Sequence, residues 1–169
     1  MPDPTGAALH VVRRGLGHPD ARRLVEEVQQ EYVARYGGRD DTPVDPAMFE
    51  PPAGAFFVGY RGSAPVATGG LRFRADLEVW GSRATAEIKR MYVVPSARGA
   101  GLARRMLAHL EAVARSHGAE VMVLETGARQ PEALALYASS GYRPIPGFGH
   151  YRDSELSRCL AVRLVDRVD

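Results

Sequence analysis

Leu9, Val11 and Val12 give Ala8–Arg14 the character of a strand that opens a sheet. From Asp20 the period changes. Ala21, Leu24, Val25, Val28 and Tyr32 recur at three- and four-residue spacing, with Glu26, Glu27, Gln29, Gln30 and Glu31 on the other face. This predicts an amphipathic helix that Gly37-Gly38 stops. Arg39 to Ala53 then loses all periodicity. Pro43, Pro46, Pro51 and Pro52 forbid a helix or a centrally paired strand, and Asp40, Asp41, Asp45 and Glu50 make the stretch acidic. A loop of this length in a compact domain is uncommon and often functional. Ala55–Tyr60 and Pro65–Arg74 read as two strands joined by a turn at Arg61-Gly62-Ser63, and Ala84–Val94 as a third after a turn near Gly81-Ser82. Strands joined this tightly are antiparallel neighbours.

The order then reverses. Pro95-Ser96-Ala97-Arg98-Gly99-Ala100-Gly101 leads into a helix whose apolar stripe is Leu102, Met106, Leu107, Leu110, Val113 and Ala114, ended by Gly118. Val121-Met122-Val123-Leu124 is a continuous apolar run, as in a strand buried on both faces. Strand, glycine loop, helix and buried strand form a βαβ unit with parallel strands. A short helix follows, with Pro131 at its first position and Gly141 past its end, and Arg158–Val165 alternates as a last strand.

Composition narrows the class. A length of 169 residues favours one domain, 1–169, and 45% hydrophobic with 25% charged residues is ordinary for a globular chain. The lone Cys159 excludes an intrachain disulfide framework. No apolar run approaches the ~20 residues of a spanning helix, and Met1-Pro2-Asp3-Pro4-Thr5-Gly6 has no signal-peptide pattern. A cytoplasmic protein without membrane or nucleic-acid partners is expected. The balance of 22 basic and 20 acidic residues, with no basic block, supports the last point. All the basic residues but Lys89 are arginine, which reads as codon bias. His10, His18 and His109 are too isolated for a metal site, His117 suits a helix C-terminus, and Cys159 suits a buried small residue, so no metal is expected.

A strand–glycine loop–helix unit is an anion site, because the first helical amides lack internal acceptors and glycine lets a phosphate approach the backbone. The dinucleotide fingerprint fails at Arg104, and no Gly-Lys-Ser/Thr of a Walker loop is present. Arg98-Gly99-Ala100-Gly101-Leu102-Ala103 instead resembles the pyrophosphate-binding signature Arg/Gln-x-x-Gly-x-Gly/Ala of the GNAT N-acetyltransferases. Glu87-Ile88-Lys89-Arg90-Met91-Tyr92-Val93-Val94-Pro95 looks like that family's fourth strand. Leu124-Glu125-Thr126-Gly127 through Gln130, Ala133, Leu136, Tyr137 and Gly141-Tyr142 looks like its fifth strand and following helix. The motifs cover Ala86 to Tyr142. Phe148-Gly149-His150-Tyr151 with Ser157 and Cys159 is similar to one branch of the superfamily.

The resemblance implies an α/β fold: a mixed, mostly antiparallel sheet of six to seven strands, its fourth and fifth strands parallel and splayed around acetyl-CoA, with about four helices. It implies acetyl-CoA as co-substrate, held by the main chain of Met91, Tyr92 and Val93, by the amides from Gly99 through Ala100, Gly101, Leu102 and Ala103 to Arg104, and by Arg98 and Gln130. The family position of Gln130 usually holds asparagine. It implies Tyr137 as general acid, against the alternative of an aromatic packed beside Ala133 and Leu136. Glu87 and Glu125 compete as base, Glu87 slightly ahead, with a water relay and no dedicated base as the third reading. Their bland alternatives are a surface partner of Lys89 or Arg90 for Glu87, and a tie to Arg129 for Glu125. The acceptor implied is a small-molecule amine, drawn by the acidic loop and attacking directly. A protein amino-terminal or lysine acceptor, a non-catalytic acyl-CoA-binding module, and a homodimer stay open.

Overall fold

Alternation of apolar residues becomes strand wherever glycine or proline punctuates it. In the computed structural model, which describes residues 8–166, the strands are β1 (His10–Arg13), β2 (Gly54–Arg61), β3 (Ala64–Phe73), β4 (Thr85–Val93), β5 (Val121–Gly127), β6 (Arg143–Pro144) and β7 (Ser157–Arg163). The helices are α1 (Pro19–Tyr36), α2 (Leu102–Ser116) and α3 (Pro131–Ser139). Met1 to Gly6, read above for a targeting signal, lie outside the described residues. One sheet runs β1-β2-β3-β4-β5-β7-β6, with every neighbouring pair antiparallel except β4 and β5. The expected parallel pair is therefore present. Three α-helices stand among the described residues where about four were expected, because the proline-rich loop forms only a 3₁₀ turn at Pro46–Phe49.

Local chemistry sets the ends. His18 caps α1 by accepting the Asp20 amide at its Nδ1 (3.2 Å), and Gly37 ends the helix at φ 76°. Gly62, at φ 59°, supplies the left-handed residue of the β2–β3 hairpin. Strand β6 has two residues, too few to leave a period in the sequence.

Each face of the sheet carries its own layer. Leu102, Met106, Leu107, Leu110 and Ala114 of α2 pack in one buried cluster with Leu71, Ala86, Ile88, Met122 and Leu124. Ala21, Leu24 and Val28 of α1 form a second with Phe49, Phe56, Val58 and Tyr92. A third gathers Val121, Val123, Phe148, Cys159 and Ala161 beside Trp80. Two guanidiniums contact the Trp80 ring, Arg143 at 5.2 Å and Arg163 at 5.3 Å from its centroid, and Arg163 donates to its carbonyl (3.1 Å).

One irregularity in the sheet prepares the site. Thr68 pairs with Tyr92 but Gly70 with Lys89, so Arg90 and Met91 share Gly69 as a β-bulge, and Arg90 adopts φ 55°. Two bonds secure it. The buried Thr68 hydroxyl donates to the Arg90 carbonyl (2.7 Å), and the Arg90 guanidinium donates to the Asp40 carboxylate. Asp40 in turn exchanges main-chain hydrogen bonds with the Gln29 side chain and accepts from the Thr42 hydroxyl (2.6 Å). Burial alone would raise the Asp40 pKa, but the Arg90 charge and the Thr42 hydrogen bonds outweigh it and bring it to about 2.

That depression fixes a pH signature. A folded pKa of about 2, below the ordinary value of 3.8, stabilises the fold above about pH 4, and the contribution disappears as pH falls through 2. The stability advantage of the wild type over Asp40→Asn, measured by urea unfolding, should be steady from pH 7 to 5 at about 2 kcal/mol and shrink toward pH 2. A gap unchanged at pH 2 would mean that the carboxylate charge is not what anchors the loop.

Candidate active site

The parallel ladder is short. It runs from Thr85 opposite Val121 to Ile88 opposite Leu124 and stops there. Beyond that point β4 continues alongside β3 to Val93, and β5 continues alongside β7 to Gly127. A cavity of about 390 Å³ occupies the gap. Lys89, Arg90 and Met91 line it from β4; Glu125, Thr126 and Gly127 line it from β5; and Gln130, Ala133 and Tyr137 line it from the start and body of α3. Tyr32 and Tyr36 of α1, the loop at Arg39–Asp41, and Tyr151 cover it.

The cover is tied down at both ends. On one side the Tyr36 hydroxyl accepts the Arg129 amide (3.2 Å), Arg35 donates to the Arg129 carbonyl (3.1 Å), and Arg35 pairs with Glu132. The Tyr36 hydroxyl passes so close over Gly127 that any side chain there would collide with it. On the other side Asp41 receives the Tyr151 hydroxyl and lies 3.0 Å from His150 Nε2. The acidic loop and the His150-Tyr151 segment, far apart in sequence, thus meet over the cavity.

Tyr137 and Glu125 both line this space. Tyr137 is buried, its ring edge-on to Tyr142 at 5.5 Å and its hydroxyl 3.9 Å from the Met91 sulfur on the opposite wall. Burial raises its pKa, so the phenol keeps its proton. Glu125 is the first β5 residue past the ladder. Its partner among the described residues is the Cys159 thiol, at 3.8 Å. Burial raises its pKa, Lys89 opposes that rise, and Glu87 reinforces it. Arg129, considered as its tie, instead bonds the Arg35 carbonyl (3.2 Å) and lies over the Tyr36 ring.

Glu87 is held elsewhere. It is 3% exposed and does not line the cavity; Arg72 donates to it at 2.6 Å and Arg74 at 2.9 Å. Its partners are neither Lys89 nor Arg90. The two arginines come from β3 and just after it, so they are remote in sequence though adjacent in the sheet.

The remaining sites divide between cavity and loop. Met91 and Gln130 line the cavity, whereas the Tyr92 side chain turns to the α1 layer, its hydroxyl 3.4 Å from Glu27. Gly99 and Gly101 take φ 83° and 76°, conformations that favour glycine, and Gly101 precedes α2 with no side-chain cap. Among the described residues, Gly99, Ala100, Gly101, Leu102, Ala103 and Arg104 have no backbone acceptor for their amides, so the loop presents free donors. Arg98 donates to the Val93 carbonyl (2.9 Å) and to Glu31 (2.7 Å), whereas Arg104 donates to Ser139, the last residue of α3, and to Ser140 just beyond it. The described residues contain no cluster of metal-ligating side chains. His109 packs edge-on to Phe57, and His117 caps α2 through Val113.

Sequence reasoning missed Lys89, Tyr32 and Tyr36 as lining residues. Lys89 had one visible signal, as the sole lysine among the basic residues. The tyrosines fitted a helix face and carried none.

The chain's relatives agree with this architecture. Residues 22–142 match the Acetyltransferase (GNAT) family. An IAA acetyltransferase of Azospirillum brasilense is 30% identical over 135 residues, covering 80% of this chain and 84% of that protein. A GNAT-family acetyltransferase of Staphylococcus aureus superposes with a TM-score of 0.72 at 18% identity, covering 93% of this chain and 99% of that one. Another from Elizabethkingia anophelis, with acetyl-CoA bound, gives 0.62 at 15% identity over 92% and 97%. Together, the sequence match across most of the chain and the sheet with its parted parallel strands make this protein a member of the GNAT acetyltransferase family.

Proposed function

We propose that the chain, read as a single domain over 1–169, transfers the acetyl group of acetyl-CoA to a primary amine of a small molecule by direct attack. The observation that carries this reading is that a phenol and a carboxylate, Tyr137 and Glu125, line one cavity in the gap between β4 and β5. The residues present suit the cofactor. The edge of β4 beyond Ile88 has no β5 partner, so main chain from Met91 to the Val93 amide is available to an extended arm, the Val93 carbonyl being taken by Arg98. The amides of Gly99 to Arg104 suit a pyrophosphate, with Arg98 beside them. The acetyl thioester supplies the electrophile. Glu125 takes the proton that the ammonium must lose before attack, and Tyr137 gives its proton to the departing sulfur.

Glu125 is preferred to Glu87 as the base because Glu87 is outside the lining and engaged by two guanidiniums. The contacts of Asp41 with Tyr151 and His150 close the cover and favour a small acceptor over a protein segment.

Thiol release from acetyl-CoA in the presence of amines tests the activity. Tyr137→Phe should keep the packing and lower kcat by ~10²–10⁴-fold, with acetyl-CoA affinity little changed. Near-normal turnover would reduce Tyr137 to a core residue.

The two glutamates separate by different readouts. Glu125→Gln should lower kcat/KM and remove a rising limb of its pH profile, a limb displaced above the ordinary carboxylate range because burial raises the pKa. Glu87→Gln should act through stability, weakening a buried ion pair in urea unfolding while leaving that limb in place. The reverse pattern would return the base to Glu87.

Gly101→Val puts a β-branched side chain at φ 76° beside the free amides. Calorimetry should show at least a tenfold loss of acetyl-CoA affinity in a folded variant, and undiminished binding would remove the loop from the cofactor site.

A further inference from the structure

Six charged side chains line the cavity, and four of them are satisfied by the protein itself. Arg39 makes two 2.8 Å bonds to Glu26, Arg90 pairs with Asp40, and Asp41 is held by Tyr151 and His150. The other two are Lys89 and Glu125. Among the described residues Lys89 has no hydrogen bond or ion pair, and Glu125 has only the distant Cys159 thiol. The acidic groups that act on Lys89 from its own strand and from the loop are already committed, Glu87 to Arg72 and Arg74, and Asp40 to Arg90.

The positions of the pair carry the argument. Ile88 and Leu124 form the last rung of the parallel ladder, and Lys89 and Glu125 are the next residue on each strand. They therefore stand on the two lips of the gap. A half-buried charge without a partner carries part of the cost of desolvation, and a ligand that brings the complementary charge offsets it. The complement of one cation and one anion set side by side is a molecule bearing an anion and an amine a few bonds apart. An acceptor with several ammonium groups would bring further positive charge against Lys89.

From the unpaired Lys89 and Glu125 at matching positions on the two sides of the strand gap, both lining the cavity, we infer that the acceptor is a small amino acid, with its carboxylate held by Lys89 and its reacting amine beside Glu125. This rests on the proposed acetyl transfer and adds Lys89 as the residue that selects among amines. Direction of charge supports it as well. Burial lowers the Lys89 pKa and raises that of Glu125, so each side chain is strained toward neutrality until a ligand compensates it.

Thiol release from acetyl-CoA provides the test, with glycine and each L-amino acid that bears a primary α-amine compared against its own carboxamide. The amide keeps the amine and side chain and removes the negative charge. In the wild type the free acids should be preferred in kcat/KM by tenfold or more for the best pairs. Lys89→Met should lower that acid-to-amide ratio at least tenfold, and Lys89→Arg should retain most of it. The ratio within one variant does not depend on how much of it is folded, so partial misfolding cannot imitate the effect. Amides used as well as acids by the wild type, or a ratio unchanged by Lys89→Met, would overturn the inference and leave acetyl transfer standing. Thiol release with none of these acceptors, nor with polyamines and aminoglycosides, would overturn both.

Discussion

The site depends on a ladder that ends early. Parallel strands that stay paired from end to end leave no room between them, and every backbone donor is consumed. Here pairing stops after Ile88 and Leu124, and each strand keeps only its outer neighbour. The bulge at Arg90 lies just past that point, where the extra residue bends β4. A bulge in a central strand must be held, and the Thr68 hydroxyl and the Arg90–Asp40 pair hold it. The acidic loop is therefore part of the sheet's geometry before it is part of any binding surface.

Charge in and around the cavity follows a simple division. Pairs that fix the shape are closed among themselves: Asp40 with Arg90, Glu87 with Arg72 and Arg74, and Arg35 with Glu132. Groups free to meet a ligand are few. A buried carboxylate bonded by two arginines is a poor proton acceptor, because its lone pairs are occupied and its charge is balanced. A half-buried carboxylate whose partner among the described residues is a thiol at 3.8 Å is better placed. Sequence position alone could not rank the two, since both glutamates lie near the ends of the same parallel pair.

What was legible in the sequence is what repeats or punctuates. The stripe of α2, the apolar run of β5, the Arg61–Ser63 turn and the glycine loop all announce themselves through period or through glycine. The parting of the strands came in only with the family resemblance, because it is set by pairing partners rather than by either strand's own residues. The arginines on Glu87 were hidden for the same reason. Arg72 and Arg74 precede it by more than a dozen positions, and only the β3–β4 register brings them together. Asp41 and Tyr151 are farther still, meeting through a loop with no period at all. Lys89 was visible as a compositional exception, and its meaning came only from its place beside the gap.

The setting of Trp80 has a spectroscopic consequence. It is the chain's one tryptophan, held by guanidiniums of β6 and β7 and absent from the cavity wall, whereas four of the seven tyrosines, Tyr32, Tyr36, Tyr137 and Tyr151, border the cavity. Indole emission thus reports first on whether the last two strands remain docked. Phenol absorbance is weighted instead toward the occupancy of the centre.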